Sequence, residues 1–87
     1  VTIYKYPFEI NDEITIEMPR GAEILLVDVQ GATPCIWALV DPQQAEIPHR
    51  FALRGTGHDT DGLTKELHVA SFQHLGTFVW HLFRCAQ

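Results

Sequence analysis

Thr33 to Pro42 (TPCIWALVDP) carries the strongest hydrophobic pattern in the chain, because both alternating sets of side chains are apolar. Cys35, Trp37 and Leu39 fall on one side, and Ile36, Ala38 and Val40 on the other. A period-two run of this kind predicts a strand covered on both faces, hence a central strand with Trp37 in the core. A buried helix of similar composition is the alternative. The short length, the β-branched and aromatic residues and the bounding prolines favour strand. Asp41-Pro42 then ends the element, since the residue before proline is pushed away from helix and proline has no N–H to give.

The same period recurs on either side. Val1 to Phe8 (VTIYKYPF) is rich in β-branched and aromatic residues and predicts a strand, with Pro7 at an edge or bulge. Ile14 to Met18 alternates cleanly, Ile14, Ile16 and Met18 inward against Thr15 and Glu17 outward, as a half-buried antiparallel strand does. Ala22 to Gln30 contains good helix formers, but it is short, turn-bounded and ends Val-Asp-Val-Gln, so it also predicts a strand. Leu25, Val27 and Val29 are assigned to one of its faces, Ile24 and Leu26 to the other. Gly31-Ala32 joins it to the central strand as an antiparallel hairpin. Glu46 to Gly55 sets His49, Phe51 and Leu53 against Arg50, Ala52 and Arg54. Leu67 to Phe72 and Thr77 to Arg84 complete the set, the last apolar on both faces. The one place for a helical turn is Asp61 to His68.

Short strands separated by turn signals at intervals of about eight to twelve residues predict an all-β fold, or at most a β-rich α+β one. The expected architecture is a compact antiparallel sandwich or small barrel of about seven short strands, residues 1–87 forming one domain. A hydrophobic share of 46% suits a globular chain, and no apolar run is long enough to span a membrane. With no basic segment followed by an apolar one at the start, no signal peptide is expected. The net charge of −5, with only six Lys and Arg, leaves no basic face for a nucleic-acid polymer or an anionic membrane. Cys35 and Cys85 have no CxxC spacing, and a reducing compartment is the simpler setting.

IYKYP near the start, PRGAEIL, WALVDP, RGTGH and FVWHLF occur in one order and spacing from Ile3 to Phe83. In these motifs the chain resembles a domain-of-unknown-function family of small bacteriophage and prophage proteins. It departs from the family pattern at Ala70-Ser71-Phe72, where the family is closer to Gly-Thr-Phe. The resemblance implies a phage or prophage origin and the cytoplasm of an infected or prophage-bearing bacterium. It implies no reaction.

Among local features, Arg54-Gly55-Thr56-Gly57-His58 is the candidate ligand site. Glycines around a threonine let backbone N–H groups converge on one spot, and Arg54 and His58 add charge, which suits a phosphate or carboxylate. An ordinary strand-exit loop has the same composition, and the segment is no P-loop, lacking GK[ST] and a following helix. The five histidines show no HxxxH or HExxH, so neither a metal site nor a cofactor is expected. Ser71, Thr56, Cys35 and Cys85 show no nucleophile elbow or paired base, so catalytic residues are not assigned. Tyr4 and Tyr6 share one face of an edge-like strand, and Trp80 shares a face with Phe78 and Leu82. These three aromatic residues are the candidate interface of a homo-oligomer, since the chain holds more apolar surface than one small sheet hides.

The expected function is a small binding module, not an enzyme, that captures a small anionic, nucleotide-like ligand such as a signal of host defence. The alternative is a protein-interaction or structural module that binds a host or phage protein through the aromatic strip or an open sheet edge. A metal-dependent hydrolase ranks third.

Overall fold

A computed structural model describes residues 1–85. Seven strands run β1 Thr2–Pro7, β2 Glu13–Pro19, β3 Glu23–Gln30, β4 Thr33–Val40, β5 Glu46–Gly55, β6 His68–His74 and β7 Phe78–Arg84. All their pairings are antiparallel. They form a three-stranded sheet in the order β1-β4-β3 and a four-stranded sheet in the order β2-β5-β7-β6. The expected antiparallel sandwich is the fold observed. The only helical element among the described residues is a 3-10 turn at Lys65–Leu67, inside the stretch where a helical turn was expected.

The core lies between the sheets. Ile36, Ala38 and Val40 of β4 face Ile14, Ile16 and Met18 of β2, Phe51 and Leu53 of β5, Phe72 of β6 and Leu82 of β7. Phe51, Ile36 and Leu82 expose nothing to solvent. The strands alternate because one face of each buries these residues while the other meets water, and a one-residue slip would turn every one of them outward. Phe8, just past β1, crosses the gap and meets Phe72 edge-on at 6.0 Å.

Two sequence expectations change here. β4 is central within its sheet, but only its Ile36 face is covered by the other layer. Trp37 and Leu39 lie on the outer face and are half-buried, so Trp37 is not a core residue. Cys35 on that side is buried beside a hydrogen bond that Lys5 Nζ of β1 donates to Gln30 Oε1 of β3 at 2.7 Å. The second change is in β3, where the register against β4 shifts between Ile24 and Leu26. Leu25 is the extra residue of this bulge and stands 54% exposed, while Ile24 joins Val27 and Val29 against the core. A bulge puts two residues opposite one and reverses the alternation on its far side, which is why Leu25 does not share a face with Val27.

Candidate functional site

β5 runs out of the four-stranded sheet at Gly55, and the next residues turn back tightly. Gly57 has φ +92°, a left-handed conformation that glycine adopts without strain. This brings His58 back over the strand end, where Gly55 N–H donates to His58 Nδ1 at 3.1 Å and His58 N–H donates to Gly55 O at 3.0 Å. The fit over Gly55 is close. A Cβ there would lie 2.9 Å from His58 Cε1, so the absence of a side chain at 55 is what lets the ring settle. Because Nδ1 accepts this hydrogen bond, the ring presents Nε2–H outward.

His58 also meets Trp80 of β7 edge-on, ring centroids 6.0 Å apart. Trp80 pairs with Gly55 across the sheet, so the small residue of β5 leaves space beside the large one of β7. The result is a cavity of about 350 Å³ bordered by Gly55, Thr56, His58, Phe78, Val79 and Trp80. Its size falls within the range of small-molecule sites, and its walls are mainly apolar and aromatic with a few polar groups. Trp80 packs on the core and its Nε1 is buried without an acceptor among the described residues. Phe78, 53% exposed, forms the outer rim.

Arg54 is placed differently from its neighbours. Its Nε donates to Asp59 O at 3.1 Å, its Nη1 to Asp12 O at 3.1 Å and Leu53 O at 3.0 Å, and its Nη2 to Asp61 Oδ2 at 3.4 Å. These four bonds occupy four of the five N–H donors that a guanidinium has. Its side chain is only 15% exposed. Arg54 thus ties the loop after β5 to the β1–β2 connection. The hollow it shares with His58 is also bordered by Asp12, Asp59 and Asp61, so carboxylates outnumber the one guanidinium. The backbone nest expected at this loop is largely closed too: Gly55 N–H meets the His58 ring, and Thr56 N–H meets Val79 O at 3.3 Å. Of the five residues singled out in sequence, Gly55, Thr56 and His58 border the cavity, Gly57 shapes the turn and Arg54 anchors it.

The three aromatic interface candidates also separate. Tyr4 is 44% exposed, whereas Tyr6 and Trp80 pack against the core. The Tyr6 hydroxyl is buried without a hydrogen-bond partner among the described residues. Burial first, then the nearby charge of Glu46 and the neighbouring Tyr4, raises the Tyr6 pKa above the usual tyrosine value. The larger exposed apolar surface is the outer face of the three-stranded sheet, with Ile3, Leu25 and Leu26 at least half exposed around Trp37 and Leu39.

One group of polar side chains escaped sequence reading. Ser71 of β6 faces His81 of β7, and His68 and Thr56 close on them from either side. His68 and Ser71 are neighbours on β6, while the β6–β7 register brings His81 to them and the loop after β5 brings Thr56. Among the described residues, no three His, Cys, Asp or Glu converge as a metal cage, and no helix is long and apolar enough to cross a membrane.

The family model described as Domain of unknown function (DUF7352) matches residues 1–87. The chain belongs to this family. Neither a curated protein nor a solved structure matches it.

Proposed function

We propose that this protein is a binding module that captures a small, planar, nucleotide-like anion in the cavity bordered by His58, Phe78 and Trp80. The observation that supports this reading is the cavity itself, with an aromatic wall from Trp80, an exposed aromatic rim from Phe78 and a histidine held so that Nε2–H points outward. Every nucleobase has a π-face, so aromatic stacking provides affinity for this ligand class, and the His58 N–H donates to its anionic group. Arg54 serves by fixing the loop on which His58 sits. In the phage or prophage setting that the sequence motifs suggest, the ligand is a nucleotide signal of host defence and the protein sequesters it in the bacterial cytoplasm.

A thermal-shift screen against mono-, di- and cyclic nucleotides, followed by titration calorimetry on the best, tests the reading. Phe78→Ala, at an exposed rim, is expected to weaken binding about tenfold or more with little loss of stability. Thr15→Ala, exposed on the outer face of β2, is the control and should leave affinity unchanged. Absence of any nucleotide-induced shift, or equal affinity in wild type and Phe78→Ala, rejects the site.

A second reading rests on a separate observation, the apolar outer face of the β1-β4-β3 sheet. A contiguous apolar face exposed to water marks a contact surface, and a second copy of the chain is the simplest occupant. On this reading the protein is a homo-oligomer or an interaction module, and Ile3, Leu26 and Trp37 carry the contact.

A further inference from the structure

The outer face of the four-stranded sheet holds a continuous chain of side-chain hydrogen bonds. His68 Nε2 lies 3.0 Å from Ser71 Oγ, and Ser71 Oγ lies 2.7 Å from His81 Nδ1. His81 Nε2 lies 2.9 Å from Thr56 Oγ1, which donates to Val79 O at 3.5 Å. One arrangement of protons satisfies every contact. Thr56 gives its proton to Val79 O, His81 Nε2–H donates to Thr56, Ser71 donates to His81 Nδ1, and His68 Nε2–H donates to Ser71.

The lone pair of His81 Nδ1 therefore points at the spot where Ser71 Oγ sits, and its other ring nitrogen is steadied by an oxygen. Histidines that ligate metals are oriented in this way, the free N–H held by a hydrogen-bond acceptor. His68 brings a second imidazole nitrogen to the same hydroxyl. Moving the His68 proton to Nδ1, a tautomer change open to an exposed ring, turns that nitrogen into a second donor.

We infer that His68 Nε2 and His81 Nδ1 form an open site for a first-row transition ion such as zinc. Imidazole suits zinc, copper and nickel, with zinc–nitrogen distances of about 2.0–2.1 Å. The ion takes the place beside the Ser71 hydroxyl, which rotates away or joins the coordination, and water fills the remaining positions. With two protein ligands the ion is exchangeable and does not staple the fold. The other chemistry these groups allow is a serine nucleophile with a histidine base, but a nucleophile needs a substrate cleft. Among the described residues, Thr56 borders the hollow beside Trp80, but neither Ser71 nor His81 borders that hollow or the one beside Arg54, whereas an ion on an exposed face needs no cleft. Sequence spacing hid the pair because its members sit on neighbouring strands and not at helical intervals.

Zinc chloride titrated into the full chain by calorimetry, with the imidazole resonances followed by NMR, tests the site. Expected is one ion per chain, with shifts at His68 and His81 and none at His49 or His74. His68→Ala and His81→Ala should each abolish binding at sub-millimolar zinc. Thr56→Val keeps both ligands and removes only the acceptor of the His81 N–H, so it should weaken binding about tenfold. Ser71→Ala should retain binding, because the imidazoles and not the hydroxyl hold the ion. Circular dichroism of each variant confirms that the fold persists. Absence of zinc binding, binding that survives the His68→Ala/His81→Ala double variant, or loss on Ser71→Ala alone overturns the assignment.

Discussion

Arg54 and Tyr6 show how a side chain's partners decide its role. Arg54 reads in sequence as a cation beside a glycine loop, yet three of its four bonds go to backbone carbonyls, one of them at Asp12. A carbonyl carries no mark in a sequence, so that role was illegible, whereas the tight glycine turn that carries Gly55, Thr56 and His58 was legible from the loop itself. Arg54→Lys keeps the charge but loses the planar fork, and it should cost about 1–3 kcal/mol in urea denaturation. Tyr6 yields a pH prediction. Its pKa is raised in the fold, chiefly by burial, so the folded state holds the proton more tightly than the unfolded chain. Its contribution is fully present below the unfolded value of 10.0 and is lost as pH rises through the higher folded value. Tyr6→Phe removes a buried hydroxyl that has no partner among the described residues, so stability at neutral pH should be unchanged or raised. The decline in stability at alkaline pH should be shallower in this variant than in wild type, as urea midpoints across that range will show.

At the scale of the element, period-two alternation made the strands legible, and β4 and β5 have the bounds that the sequence suggested. What it did not resolve is which face of β4 is covered, because Cys35, Trp37 and Leu39 are as apolar as Ile36, Ala38 and Val40. Cover on both faces was the expectation, but only Ile36, Ala38 and Val40 pack against the second sheet. The bulge at Leu25 was equally hidden, since nothing in Ile24-Leu25-Leu26 marks the extra residue. Denaturation of alanine variants separates these environments. Phe51→Ala should cost about 3–5 kcal/mol and Leu82→Ala about 2–5 kcal/mol, as fully buried residues do. Trp37→Ala should cost the least of the three, because part of its ring already meets solvent.

At the scale of the whole molecule, the sandwich buries one apolar surface between its sheets and leaves another on the outer face of β1-β4-β3. If that face joins copies of the chain, sedimentation equilibrium at micromolar concentration will show an oligomer. Leu26→Glu, half exposed and away from the core, will then dissociate it without unfolding the chain. A wild-type monomer leaves the face to a different protein partner. The proposed ligand cavity lies at the other sheet, on the loop after β5, so occupancy of the two surfaces is separable by position. Amide chemical-shift mapping with the tightest-binding nucleotide of the screen tests the central proposal most directly. Shifts concentrated at Gly55 to His58 and Thr77 to Trp80, with the indole N–H of Trp80 among them, are the expected result. Shifts centred on Ile3, Leu26 and Trp37, or none at saturating nucleotide, would contradict it.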